Sequence, residues 1–269
     1  MKSLFKSFSI LACMLAVVLA CNKVEVEPIG ANDKNNITLE FDNRVGGQKL
    51  ALGTTTYKNA SGEDFTVTSL NYFISNVALK KADGTTVKFP DQYFLIRQAD
   101  SKTTEQLLKD VPAADYTDIT FTIGVDSIKS ISPVEQRTGV LDPTSYGDDN
   151  MYWAWNSGYI FMKLEGISSA APKNSAGLNK YQYHVGGFGG RTSATANNLR
   201  TVTLSLNGTA TVRKSISPTV HLITDVAKIF DGGTPLKIAT AAVIMAPAAA
   251  TPIANNYKNM FVVDHVHND

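Results

Sequence analysis

From Ile37 onward, apolar and polar residues alternate with a period of two. Ile37, Leu39 and Phe41 are interleaved with Thr38 and Glu40, the pattern of a strand with one buried face. Residues 65–80 place Leu70, Tyr72 and Ile74 on one face and predict a long strand bent at Ser75-Asn76. Residues 116–125 set Ile119, Phe121, Ile123 and Val125 against threonines. Segments 199–206 and 209–214 flank Asn207-Gly208, which predicts a two-residue hairpin, and Asp83-Gly84 predicts a similar turn. Helical periodicity is scarce: only 104–109 and 225–230 read as short helices, the second with Asp225 as its cap. The Ala-rich stretch 239–254, broken by Pro247 and Pro252, fits no element. The expected fold class is all-β, an antiparallel sandwich or Greek-key-like single domain with long loops and one or two short helices. Residues 127–150, 168–180 and 186–198 are the polar loops that such a sheet would carry.

The first residues break this pattern. Lys2 and Lys6 precede a nearly continuous apolar run over 9–20, too short to span a bilayer and suited to a signal-peptide core. The run ends Val18-Leu19-Ala20-Cys21, which reads as a bacterial lipobox. Residues 1–20 are therefore expected to be a lipoprotein signal peptide, and Cys21 the lipidated residue. The polar stretch 21–36 is expected to be a flexible tether, and 37–269 one domain. Membrane attachment would come from acyl chains on Cys21. The expected location is the cell envelope, as an outer-membrane lipoprotein facing the periplasm or the cell surface.

Composition removes several function classes. The two cysteines, Cys13 and Cys21, lie in the signal and at its end, so the domain is expected to have neither disulfide nor thiolate metal site. Without Lys2 and Lys6, 23 Lys+Arg face 24 Asp+Glu. That balance, with no basic stripe, argues against nucleic acid. There is no Gly-x-Ser-x-Gly, and the glycine-rich 186–191 lacks the Lys-Ser/Thr ending of a phosphate loop. Asp148, Asp149 and Glu165 could pair as carboxylates, but nothing sets them against a substrate. The chain reads as a binding protein rather than an enzyme.

Four histidines carry the remaining chemistry. His265 and His267 flank Val266 at the end of a strand-like segment. In an extended chain such residues share a face, with Cα atoms roughly 6.5–7 Å apart, so both imidazoles can reach one metal. A polar tail that happens to hold two histidines gives the same pattern. Imidazoles without thiolate suit copper, zinc or nickel, and copper heads the affinity order. His184 precedes Val185-Gly186-Gly187 near a sheet edge, where it is either a loop-site ligand or a hydrogen-bonded structural residue. His221 alternates with apolar neighbours and reads as structural. Trp153 and Trp155 stand in the densest aromatic segment, 151–161, and read as one face of a strand: a core anchor, or a platform for a glycan or protein ligand.

Several segments together resemble one family. Asp64-Phe65-Thr66-Val67-Thr68-Ser69-Leu70-Asn71-Tyr72-Phe73-Ile74-Ser75-Asn76 is similar to its long strand, and Phe121-Thr122-Ile123-Gly124-Val125-Asp126 to the next. Met151-Tyr152-Trp153-Ala154-Trp155-Asn156-Ser157-Gly158-Tyr159, followed by Lys163-Leu164-Glu165-Gly166, is the most specific match, and His184-Val185-Gly186-Gly187 follows in order. The family is that of MbnP-like proteins, exported copper-binding proteins found beside methanobactin systems and widely as lipoproteins. The resemblance implies copper bound by histidine imidazoles together with a tryptophan oxidised to kynurenine by a partner dihaem enzyme of the MauG type. Carried over by position, it marks Trp153 or Trp155 for modification and His184 as a ligand. His265 and His267 join the expected metal set through their own spacing.

Overall fold

The structure, a computed structural model, describes residues 28–233 and 235–269. The expected signal peptide and Cys21 lie outside the described residues. In chain order the strands are β1 (Lys34–Val45), β2 (Gln48–Lys49), β3 (Tyr57–Lys58), β4 (Asp64–Lys81), β5 (Thr86–Arg97), β6 (Glu105–Pro112) and β7 (Ala114–Ile123). There follow β8 (Tyr152–Trp153), β9 (Gly158–Ile167), β10 (Lys180–Gly186), β11 (Arg200–Val212), β12 (Thr219–Asp225), β13 (Val243–Ile244) and β14 (Phe261–His267). Two α-helices are described, α1 (Ser127–Ile131) and α2 (Pro247–Tyr257). Among the described residues no helix is long and apolar enough to cross a membrane.

The strands form two sheets. The smaller runs β14-β12-β1-β2, with β6 also paired to β1. The larger runs β11-β7-β4-β9-β10-β13, with β3 and β5 paired to β4 and β8 to β9. The fold is β-rich, and its sheets are mixed: β1–β12 and β10–β13 are parallel, the other pairs antiparallel. The alternating residues of β1 and β12 explain how the sheets meet. Ile37, Leu39, Phe41, Val220 and Leu222 all point into one core shared with β4, β7, β9, β10 and β11. Aromatic edges cross the gap, with Phe41 6.1 Å from Tyr72 and Phe121 5.1 Å from Phe261 between ring centres.

A second apolar cluster covers the far side of the larger sheet. Phe73, Leu95 and Phe161, on that outward face, pack against Leu141, Tyr146, Met151 and Phe188. The polar excursion 126–157 is therefore a cap built of short helical turns, and it carries the tryptophans.

Three local expectations are corrected. Residues 104–109 have the Glu-Gln-Leu-Leu-Lys composition of a helix; they instead begin β6, because pairing with β1 lets Leu108 and Val111 enter the core. Asn207-Gly208 does not turn the chain back. β11 continues through it, with a register break against β7 between Ser205 and Ala210 and Asn207 at φ 53°. The positive φ that fits a hairpin also fits a bulge, and Asn207 Nδ2 uses the bulge to donate to Val263 O on β14 (3.0 Å). The unassigned Ala-rich stretch contains α2, with Pro247 in its first turn and Ala250, Ile253, Ala254 and Tyr257 buried at helical spacing. The bend in β4 is present at the expected place: register shifts past Ser75, and Asn76 has φ 51°.

Glu63 ties the β3–β4 turn to the segment before β13. Its carboxylate accepts from Asn59 Nδ2 (2.6 Å), Ile238 N (2.7 Å) and Ala239 N (2.9 Å). Burial works to raise its pKa, but these donors outweigh it and hold the carboxyl below the ordinary range. A depressed folded-state pKa means that the stabilisation is complete above the ordinary carboxylate value and disappears as pH falls through the folded one. Glu63→Gln is expected to cost about 1–2 kcal/mol at neutral pH, the loss of charge-assisted bonds. Urea midpoints of the two proteins should begin to converge as pH falls below about 4, the ordinary carboxylate range, and meet below the folded-state value; a gap that does not narrow below the ordinary range would contradict this assignment.

Candidate metal centres

The five expected metal residues fall in two places. On the outward face of the larger sheet, β9 presents Lys163 and Glu165 while β10 presents Gln182, His184 and Gly186; the alternate residues Leu164, Tyr181, Tyr183 and Val185 fill the core. His184 Nε2 and Glu165 Oε1 lie 2.6 Å apart, both largely buried. The His184 hydrogen bond is the main cause that pulls the Glu165 carboxyl down to about 2, and the Lys163 ammonium assists against the opposing effect of burial. Lys163 Nζ also donates to Asp149 O (2.7 Å), joining the sheet to its cap. With Nε2 engaged by the carboxylate, His184 has Nδ1 as its donor to any metal. A carboxylate behind an imidazole is the usual way to fix a ligating histidine.

Trp153 lies against the strand that carries this histidine, for a steric reason. A Cβ on Gly186 would stand 2.7 Å from Trp153 Cζ3 and 2.7 Å from Tyr159 O, so only glycine leaves room for the ring. Gly186 is two residues beyond His184 on the same face of β10, so the indole stands over the strand position next to His184 on that face. Trp155 stacks on Trp153 with ring centres 5.0 Å apart and planes 28° from parallel, and is 49% exposed. The expected single strand ends at Trp153: residues 154–157 turn, and β8 pairs back on β9. Asn156 braces that turn, its Oδ1 accepting from Arg191 N (2.8 Å) and Thr192 N (2.7 Å).

Tyr152, the residue before Trp153, receives hydrogen bonds at its hydroxyl from Arg137 Nη1 (2.8 Å) and Arg191 Nη2 (3.1 Å). Burial alone would raise the phenol pKa, but the two guanidiniums outweigh it and hold the phenol below its ordinary value.

The other place is the smaller sheet. His265 and His267 converge as their spacing predicts, and the third member is His221, whose sequence context reads as structural; His184 is not in this group. One ligand nitrogen from each of His221, His265 and His267 lies within 4.8 Å of the others. His221 stacks on His265 with centres 4.2 Å apart, and His265 Nε2 is 3.0 Å from His267 Nε2. His221 Nδ1 meets Glu40 Oε2 at 2.9 Å, and His265 Nδ1 meets Asp264 Oδ2 at 3.0 Å. Sequence reasoning misses His221 because its role depends on two pairings distant in the chain, β1–β12 and β12–β14. The alternation Val220-His221-Leu222 leaves open whether the ring faces the core or solvent, and burial of Val220 and Leu222 turns it outward.

These features define a class: a two-sheet β domain with imidazole-based candidate metal centres, one of them beside an indole pair. The chain belongs to the MbnP family, whose model matches residues 34–246. Among solved structures, MbnP from Methylosinus trichosporium is similar in fold, with a TM-score of 0.57 at 14% identity, over 87% of this chain and 99% of that one. No curated protein matches the sequence.

Proposed function

We propose that this chain is an exported, lipid-anchored copper-binding protein, serving copper storage, delivery or uptake in the cell envelope. Cys21 carries the acyl chains, and the domain faces the periplasm or the cell surface at the outer membrane. Copper is taken beside His184, with Trp153 or Trp155 converted to kynurenine by a partner dihaem enzyme of the MauG type. The observation that carries this reading is the placement of Trp153 over Gly186, next to a carboxylate-oriented His184.

The donor chemistry makes the modification necessary at this centre. An indole is a donor-only group and offers no lone pair to a metal, so an unmodified centre supplies one imidazole. Ring opening provides an aniline nitrogen and a ketone, both of which can approach copper. The fit to copper is therefore conditional on the converted residue.

The test is a copper titration against a competing chelator, on chain produced with and without the dihaem partner. Tight binding that perturbs the kynurenine absorption is expected only in the modified protein, together with a kynurenine mass in the 138–163 tryptic peptide. His184→Ala should abolish that spectral response. A modified protein whose kynurenine spectrum ignores copper would defeat the assignment.

A further inference from the structure

We propose that His221, His265 and His267 form a second metal site, for a divalent late first-row cation such as zinc or copper, separate from the centre on the larger sheet. The site depends on a backbone irregularity. β12 pairs with β14 so that Leu222 faces Val263 but His221 faces His265, which makes Asp264 an extra residue in β14. In a regular ladder with Val263 pointing inward, His265 would point inward too, and Asp264 would stand opposite His221. The bulge reverses that parity. It puts His265 and His267 on the outward face, where His221 already stands, and sets the Asp264 carboxylate beside the His265 ring. Bulges are a known means of re-aiming side chains.

The polar partners then select the coordinating atoms. Glu40 engages Nδ1 of His221 and Asp264 engages Nδ1 of His265, which directs the Nε2 lone pairs of both rings outward. A carboxylate on the far nitrogen is the arrangement that orients ligating imidazoles and raises their basicity. Nitrogens held about 2.0–2.1 Å from a tetrahedral metal stand about 3.3 Å apart, close to the 3.0 Å between His265 Nε2 and His267 Nε2. In the absence of metal, one of those nitrogens must donate to the other. A cation lets all three present lone pairs at once. Three neutral imidazoles with no thiolate suit a late first-row divalent ion rather than calcium or magnesium, and the exposed fourth position is open to water or an exchanging ligand.

Two facts separate this site from the one proposed above. His265 and His267 lie beyond residue 246, where the family match ends. No tryptophan adjoins the cluster, so binding needs no modified residue. The site also links the last strand to its neighbour, so bound metal holds β14 to β12.

The experiment is a competition titration of the full chain, carrying no added histidine tag, with Zn²⁺ and with Cu²⁺. It uses chain made without any oxidising partner, so that no kynurenine is present. One equivalent is expected to bind, with imidazole nitrogen couplings in the electron paramagnetic resonance spectrum of the Cu²⁺ form. Zn²⁺ should also raise the thermal midpoint in a concentration-dependent way. Single changes His221→Ala, His265→Ala and His267→Ala should each weaken binding by more than the roughly 10–100-fold typical of losing an outer hydrogen-bonded partner. Glu40→Gln, which keeps all three imidazoles, should fall within that range. His184→Ala should leave this equivalent intact. Absence of Zn²⁺ and Cu²⁺ binding by the unmodified chain, or equal affinity in His221→Ala, would overturn the proposal; neither result bears on the kynurenine-dependent centre. Loss on His184→Ala alone would likewise count against this site, and it would also count against the need for kynurenine at the other centre.

Discussion

Gly166→Ala is expected to destabilise the domain by about 3–5 kcal/mol, a large share of the roughly 5–15 kcal/mol that holds a domain folded. Gly166 sits in β9 with Val67 of β4 on one side and Tyr181 of β10 on the other. A Cβ there would stand 1.8 Å from Thr66 O and 2.7 Å from the Tyr181 hydroxyl. The first contact is with backbone in a central strand and cannot be relieved by a rotamer. The second is with a fully buried ring whose hydroxyl donates to the same Thr66 O at 2.9 Å. Desolvation pushes that phenol well above its ordinary pKa, so the hydroxyl stays a donor at every accessible pH. Overpacking a core costs about 1–3 kcal/mol, and leaving a buried hydroxyl unpaired adds about 1–3 kcal/mol more. Gly47 is the control: a Cβ there would meet nothing within 4 Å, and its φ is not positive. Gly47→Ala should change stability by less than about 0.5 kcal/mol. Urea midpoints of the two variants give the comparison, and a Gly166→Ala loss as small as the control's would contradict the close approach of β9 to β4.

The larger features of this fold are legible because strand periodicity survives burial. β1, β4 and β7 announce themselves by alternating residues, and the β4 bend by an Asn able to take positive φ. β6 is not legible, since Glu-Gln-Leu-Leu-Lys has helical propensity and only its pairing with β1 makes it a strand. α2 is hidden for the opposite reason: its buried stripe at 250, 253, 254 and 257 contains two alanines, and Pro252 interrupts it. Of the candidate centres, the His265–His267 pair follows from strand geometry alone. The bulge at Asp264 and the third imidazole do not, because a bulge is fixed by packing on both sides of a ladder and leaves little mark on the sequence. The placement of Trp153 on the strand of His184 is foreshadowed only by Gly186, whose missing side chain is the space that the indole occupies.

Arg137→Leu is expected to loosen the cap that carries both tryptophans while the two sheets stay folded, at a cost of about 2–4 kcal/mol. Arg137 is buried, and its guanidinium donates to Ser132 O (2.6 Å), Ser130 O (3.1 Å) and the Tyr152 hydroxyl (2.8 Å). It also lies over the Tyr152 and Tyr159 rings, 5.4 and 5.8 Å from their centres. One side chain therefore fastens the end of α1 to β8, the strand that ends at Trp153. Bonds to a charged donor contribute about 1.5–3 kcal/mol each. The sum is reduced here because Arg191 also donates to Ser130 O (2.7 Å) and to Tyr152, and can hold part of the cap alone. The chain has two tryptophans, both in this hairpin and stacked, so indole emission, excited beyond the tyrosine band, reports the cap specifically. In urea the variant should lose the tryptophan signal before the far-ultraviolet signal of the sheets. Coincident transitions would instead mean that the cap folds as one unit with the larger sheet. If copper is bound beside His184, the same substitution should weaken that binding through the displaced indole. Binding at His221, His265 and His267 should be untouched, because those imidazoles take their positions from β1, β12 and β14 and owe nothing to the cap.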